Sequence, residues 1–441
     1  MTAHPAAKVI LFGDSESLPQ LVRLLPRPAL QGVVVAGIRP QSHDVGRRVA
    51  VEQQVPLLVQ PSHGSSEYRE FLRQLQALDP DLYLVHSYSM LLREEVLELP
   101  RLGAVNVHAA LLPHGRGPNP LQWAIIRGES MTGVTLHEMT AGIDEGPIID
   151  QVEVPIGFDE DWRMVRERQD EATIELLSRN IGSLLAGSWT AIPQQEERAT
   201  RNRRRSPEDG RFAWSDRLVD IYNLVRALLP PLPPAHTTNA DGADFVADEF
   251  ATPWQLAAMK YGERGGCTMA AEMVRLRPLR REDGPLLYEW ITDRESAALN
   301  GPWLPVSEVD HDQWLESVMK KRTDVVVFAI ETVEGSRTVG TCQLVDINWL
   351  HRHAELRIRI GDEAARGQGY GTEAVRLLTN FAFLDLGLHR VALHVFATNL
   401  RAIKAYEKAG FSREGVLREA AWIEGRWMDV VVMSTLRPEE R

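Results

Sequence analysis

Residues 106–120 read NVHAALLPHGRGPNP. The stretch closes a short apolar run, AVNVH at 104–108, and opens a loop stiffened by Pro113, Pro118 and Pro120 and turned by Gly115 and Gly117. Side chains alternate along a strand, so Asn106 and His108 point to one face. Polar residues at the end of an apolar strand stand where open α/β sheets carry their ligand sites. Working outward, KVILF at 8–12, GVVVAG at 32–37 and DLYLVH at 81–86 are further apolar runs, with helical patterns at 18–25 and 68–78 between them. Continuous apolar strands alternating with helices predict a parallel α/β sheet.

The chain has 441 residues, so two or three domains are expected. It is 44% hydrophobic and 25% charged, as globular proteins are. The formal net charge of −12 argues against broad nucleic-acid binding, which needs a basic footprint. Its two cysteines, Cys267 and Cys342, are too few and too far apart for a disulfide framework or a zinc cluster. They predict reduced thiols in a cytoplasmic protein with no metal site. There is no signal-peptide pattern and no apolar run of roughly 18 residues, so no membrane span is expected.

RNRRR at 201–205 reads as a solvated basic loop. A helical pattern follows at 214–229, then PPLPP at 230–234 and a polar, loop-like stretch at 237–248. The Gly-rich YGERGGCTM at 261–269 reads as the edge of, or linker to, a new domain. From Val274 the pattern restarts. VRLRPLRRED predicts a strand entering a helix, with strands over 324–331, 338–347, 354–360 and 391–396 and helices over 371–384 and 399–408. No internal repeat relates the two halves.

Asn106 and His108 are chemically suggestive. Neutral histidine is a base near physiological pH, and an Asn amide is a neutral donor for an oxyanion. A nearby carboxylate can orient such a histidine and hold its imidazolium form. Downstream, TGVTLHEMTAGIDEGPIID at 132–150 sets Asp144 between Gly142 and Gly146. An isolated Asn-x-His reads more plainly as a loop cap and a satisfied core histidine. The surrounding string changes that reading. NVHAALLPHGRGPNPLQWAI, TGVTLHEM and GIDEGPII, in this order, resemble the 10-formyltetrahydrofolate-dependent formyltransferases, a family that includes methionyl-tRNA formyltransferase and the sugar N-formyltransferases.

The resemblance covers about residues 8–235, RRRSPEDGRFAWSDRLVDIYNLVRAL included. It implies a Rossmann-like catalytic domain at 1–195, with a small C-terminal extension and linker at 196–265. It implies Asn106, His108 and Asp144 as the catalytic trio, and the folate along Met90, Leu91 and Leu92 and along the 141–146 loop that holds Gly142. In the implied reaction the acceptor amine attacks the formyl carbon and His108 takes its proton. Asn106 and the protonated His108 stabilise the oxyanion, and Asp144 holds His108. The family usually has Ser where this chain has Ala109 or Ala110, a departure expected to touch loop contacts more than chemistry. Arg116 and Trp123 read as loop and packing residues.

RGQGYG at 366–371 lies between a strand and a helix. Glycines there expose successive N–H groups at a helix N-terminus, a site for phosphate. The stretch lacks the Lys-Ser/Thr ending of a P-loop and opens no βαβ unit of the dinucleotide-binding kind. RGQGYGTEAV, followed by HRVALHVFATNLRAIKAYEKAGFSREG at 389–415, resembles the GNAT acetyltransferase superfamily, nearest its branch for protein N-termini and amino sugars. The resemblance covers about residues 274–436 and implies an α/β GNAT domain at 271–441. It implies acetyl-CoA, with the pyrophosphate on Arg366, Gly367, Gln368, Gly369, Tyr370 and Gly371 and the pantetheine beside Ile358 and Ile360. Asn399 and Tyr406 fall in the later motif. Tyr406 is implied as the acid for the departing thiolate and Glu355 as the base for the amine; a core aromatic and a surface carboxylate are their plainer readings. Cys342, on an apolar strand, reads as packing.

Both halves would move a small acyl group onto an amine, so a bifunctional acyltransferase is expected. The expected acceptor is a small molecule, a nucleotide-linked amino sugar for surface glycans. Methionyl-tRNA is disfavoured by the acidic charge and by the short segment after Pro234. The alternative is a siderophore- or antibiotic-type amine such as an ornithine derivative. A third reading makes the GNAT half a binding module that senses acetyl-CoA, which the intact RGQGYG and Tyr406 oppose. Oligomeric state stays open, a homodimer included.

Overall fold

The computed structural model describes residues 7–27, 29–251, 253–261, 269–294, 305–319, 324–423 and 425–438. The chain divides into two units, Met1–Ser206 and Pro207–Arg441.

In the first unit the apolar runs become strands. They are β1 (Val9–Gly13), β2 (Leu30–Ala36), β3 (Leu57–Gln60), β4 (Leu82–His86), β5 (Ala104–His108), β6 (Met131–Glu138) and β7 (Ile148–Pro155), in sheet order β3-β2-β1-β4-β5-β6-β7. The helices are α1 (Leu18–Val22), α2 (His43–Gln53), α3 (Tyr68–Ala77), α4 (Glu94–Leu97), α5 (Pro120–Ile126) and α6 (Trp162–Ala186). β1 and β4 are buried at every position, as strands covered on both faces must be. The sheet is mixed, not all parallel: β3 to β5 run parallel, while β5, β6 and β7 pair antiparallel. A short connection joins β6 directly to β7, and such a link makes a hairpin, because a parallel neighbour needs a crossover. β3 was not expected; it is a four-residue strand at the sheet edge. α6 starts where the Asp161 side chain accepts the N–H groups of Arg163 and Met164, and ends at Gly187, whose φ is 62°.

The chain leaves β1 toward β2 and β3, then returns to β4 on the other side of β1. The crevice at the carboxyl ends of β1 and β4 is therefore the topological switch point. Asp14, just after β1, spans it. Its carboxylate accepts the N–H of Ala36 at 2.9 Å and of Ser89 at 2.8 Å, which pins the loop after β4.

The second unit begins with α7 (Leu218–Ala227), the strands β8 (Ala235–Thr238) and β9 (Asp244–Ala247), and α8 (Pro253–Lys260). The stretch expected as loop at 237–248 is thus a hairpin, turning at Asp241-Gly242 with Gly242 at φ 85°. Then come β10 (Met269–Ala270), β11 (Val274–Pro278), α9 (Gly284–Thr292), α10 (Glu308–Met319), β12 (Val326–Thr332), β13 (Thr338–Asn348), β14 (His353–Ile360), α11 (Tyr370–Asn380), β15 (Arg390–Phe396), α12 (Leu400–Lys408), β16 (Ser412–Ile423) and β17 (Arg426–Leu436). The sheet order is β10-β11-β12-β13-β14-β15-β17-β16, and β14 with β15 is its parallel pair.

That pairing covers only His353–Glu355; beyond it β15 continues on β17 alone. The two strands splay beside Leu356–Ile360, where the sequence placed the pantetheine. α11 gives way to a π-helical turn, Phe381–Asp385, inside the helix expected over 371–384. Asp385 gathers the start of this unit: its carboxylate accepts from Lys260 Nζ at 2.5 Å, Tyr261 Oη at 2.7 Å and the N–H of Leu218 at 3.3 Å. Most of the expected linker at 261–269, Cys267 included, lies outside the described residues. Among the described residues no helix is long and apolar enough to cross a membrane.

Candidate active sites

β5 carries Asn106, half-buried, and His108, buried. Antiparallel register sets His137 of β6 opposite Asn106. The loop after β6 folds back over both strands. Asp144 takes a left-handed φ of 54° there, which a short Asp side chain tolerates. Gly146 presses against β6, where a Cβ would overlap the carbonyl of Glu138. The Asp144 carboxylate thereby sits 3.6 Å from His108 Nδ1 and 3.7 Å from His137 Nε2, and accepts the N–H of Gly117 at 2.8 Å.

Partners fix the tautomers. His108 Nε2 lies 3.0 Å from the carbonyl of Gly115, so Nε2 carries the proton and Nδ1 faces Asp144. His137 Nδ1 lies 2.7 Å from the carbonyl of Glu138, so its Nε2 accepts from Asn106 Nδ2 at 3.1 Å. Burial pulls the His137 pKa down to about 4, which keeps that ring neutral and an acceptor. The expected trio is therefore brought together. His137 was missed, although it stands in TGVTLHEM.

Arg116 is fully buried, paired with Glu196 at 2.7 Å and bonded to Gln194 at 3.0 Å. Gln194 Nε2 in turn donates to the carbonyls of Asp144 at 2.8 Å and Gly146 at 2.7 Å, so Arg116 ties the 113–118 loop to the Asp144 loop. RNRRR is not a free loop. Asn202 donates its N–H to the carbonyl of Arg116 at 2.7 Å, and Trp123 Nε1 donates to that of Arg203 at 3.0 Å. The missing serine hydroxyl leaves no gap in the backbone bonding. Gln169 Nε2 donates to the carbonyl of Ala109 at 3.1 Å, and the Thr135 hydroxyl to that of Ala110 at 2.6 Å.

Met90, Leu91 and Leu92 follow β4 at the switch point, and Gly142 shares the Asp144 loop. Leu92 is buried, but Leu91 is 63% and Ile143 46% exposed, leaving apolar side chains on both loops for a flat apolar ligand to cover. A base, an amide donor and a carboxylate converging at a strand end suit acyl transfer to an amine.

In the second unit a cavity of about 950 Å³ lies among α9, α10, β14, β15, α11 and α12. Gly367 and Gly369 have φ of 83° and 92°, and Gly369 is the N-cap of α11. Side chains rarely adopt that backbone. First-turn N–H groups have no intrahelical acceptor, so this loop end favours an anion. Arg366 braces it, donating at 3.3 Å to the carbonyls of both Ile360 and Gly361. Arg366, Gly367, Gly369, Gly371, Ile358, Ile360, Asn399 and Tyr406 line the cavity. Gln368 instead folds back to the carbonyl of Ala364 at 2.6 Å, and Tyr370 forms the first residue of α11.

Asn399 has a second task, capping α12 by accepting the N–H of Ala402 at 3.1 Å. Burial pushes the Tyr406 phenol up to about 12, so it holds its proton at neutral pH and serves as a donor. Glu355 also lines the cavity; its carboxylate meets Arg357 at 2.8 Å and His394 Nδ1 at 3.3 Å. His394, on β15, was not anticipated. Cys342 is fully buried, and burial raises its thiol pKa, which fits packing and not attack.

The family described as formyl transferase matches residues 7–181, and the acetyltransferase (GNAT) domain matches residues 274–412. Methionyl-tRNA formyltransferase of Synechococcus elongatus is 33% identical over 231 residues, 51% of this chain and 70% of that protein. That of Thermodesulfovibrio yellowstonii is 33% identical over 231 residues, 50% of this chain and 73% of its own. Among solved structures, a sugar N-formyltransferase from a Shewanella species is similar at 19% identity and TM-score 0.47, over 56% of this chain and 98% of that one. A spermidine N-acetyltransferase from Vibrio cholerae, in complex with CoA and spermine, is similar at 27% identity and TM-score 0.36, over 37% of this chain and 95% of that one.

Proposed function

Because the chain belongs to the formyl transferase family and also carries a GNAT acetyltransferase domain, it is a bifunctional transferase, and we propose that it formylates and acetylates amino groups of nucleotide-linked amino sugars in the cytoplasm, for surface glycans. The observation that carries the formyl half is the convergence of Asn106, His108, His137 and Asp144. 10-Formyltetrahydrofolate supplies the formyl group when bound. The exposed apolar residues Leu91 and Ile143 fit its ring system, with Met90, Leu92 and Gly142 beside them. His108 would take the amine proton at Nδ1, where Asp144 meets the resulting charge, and would return it to the donor nitrogen from which the formyl carbon parts. Asn106, held by His137, donates its amide to the carbonyl oxygen as negative charge builds there.

Acetyl-CoA supplies the acetyl group at the second site when bound. The 366–371 loop fits its phosphates, and the splay beside Ile358 and Ile360 fits its pantetheine. Glu355 accepts the amine proton and Tyr406 gives one to the departing sulfur. Methionyl-tRNA, the substrate in the relatives' names, is the competing acceptor for the first site. The net charge of −12 favours a small acceptor over a large polyanion.

A thermal unfolding screen tests this reading, since ligands that bind only the folded state raise its stability. Folate, CoA and one UDP- or dTDP-linked amino sugar are each expected to stabilise the chain. A response to folate and CoA, with ornithine derivatives active and every nucleotide sugar silent, would sink the acceptor assignment.

A further inference from the structure

The second cavity has a lopsided charge. Of its lining residues six are lysine or arginine and one, Glu355, is acidic. Four of the six basic residues stand on the Gly-rich loop and α12, beside the proposed CoA phosphates. Arg357 and Arg359 stand elsewhere, on β14 with Glu355. The three alternate with buried Leu356 and half-buried Ile358, so they share one strand face, and all three line the cavity. Arg357 is neutralised by Glu355 at 2.8 Å. Arg359 differs: among the described residues its side chain's one hydrogen bond goes to the carbonyl of Trp290 at 3.4 Å, and no carboxylate pairs with it. Burial alone pulls its pKa below the ordinary arginine value. A guanidinium cannot shed its charge near neutrality, so a half-buried one without a counter-ion is costly unless an anion arrives from outside.

We propose that the acetyl acceptor is an amine whose far end carries an oxyanion, a phosphate or a carboxylate, received by Arg359 while Glu355 meets the amine. The inference rests on the reading of residues 274–436 as an amine acetyltransferase. Four residue-to-residue steps along the strand separate the two groups, about 13 Å at roughly 3.3 Å each, which sets the scale of the acceptor. Arg359 offers a planar fork that suits phosphate or carboxylate. Trp290 of α9 and Gln343, which faces Arg357 in register, complete that side. A polyamine would meet one carboxylate among six cations.

Calorimetric titration of the full chain, first saturated with CoA so that its phosphates fill the Gly-rich loop, tests the site. Pyrophosphate, succinate and spermidine are added in separate runs. One of the two anions is expected to bind, the tighter one naming the class, and spermidine to give no heat. Arg359→Gln should weaken the anion at least about tenfold, and Arg359→Lys, which keeps the charge but not the fork, by less. No anion binding to the saturated parent, equal affinity in both variants and parent, or spermidine binding tighter than either anion would overturn the proposal. Failure of CoA itself to bind would remove the acetyltransferase reading, and this inference with it.

Discussion

His137→Gln offers a quantitative handle on the formyl site. Gln keeps an acceptor for Asn106 but cannot take a proton in this range. In the folded chain burial holds the His137 pKa down to about 4, whereas a free histidine titrates near about 6.5. Between those values the unfolded chain binds more protons, so stability falls as pH drops. From about pH 7.5 to about pH 5 this one group costs about 2 kcal/mol, from the ratio of the two protonation factors. His86, also buried and pulled down to about 3, adds an acid loss common to both proteins, which cancels in the comparison. Urea unfolding read by hydrogen exchange in β5 and β6 isolates the first unit. The parent is expected to lose about 2 kcal/mol more than His137→Gln over that interval. Equal losses would refute the buried, neutral His137 and with it the fixed orientation of Asn106.

Three further outcomes are expected. His108→Ala should lower formyl transfer by about 10²- to 10⁴-fold in a steady-state assay while acetyl transfer by the same sample persists. Tyr406→Phe should lower the acetyl-transfer rate by about tenfold or more with the KM for acetyl-CoA little moved, as loss of a proton donor predicts. Asp385→Ala removes the carboxylate that pairs with the Lys260 ammonium, 6% exposed, leaving its bond to the carbonyl of Asp216 at 2.7 Å, and should cost about 3 kcal/mol in urea unfolding of the second unit.

Much of the site was legible because period-two alternation needs only local sequence. Asn106 and His108 share a face wherever β5 lies. His137 needed the β5–β6 register, a long-range fact that TGVTLHEM does not carry. His394 needed the β14–β15 pairing in the same way. The 201–205 arginines are mostly exposed as their charge predicts, yet their backbone is bonded to residues some 80 positions earlier, which composition cannot report. The β8–β9 hairpin was readable: Asp241-Gly242 is a hairpin turn signal, masked by the polar residues around it. β3 was too short to stand out, and the antiparallel β6–β7 pairing followed from the short connection between them more than from their apolar content.

The most direct test of the central claim is product analysis by mass spectrometry. The full chain is given 10-formyltetrahydrofolate, acetyl-CoA and a panel of UDP- and dTDP-linked amino sugars, with methionyl-tRNA alongside. The account predicts nucleotide sugars that gain a formyl group and, from the second site, an acetyl group, and no formyl-methionyl-tRNA. Formyl transfer to methionyl-tRNA with every amino sugar untouched would contradict it.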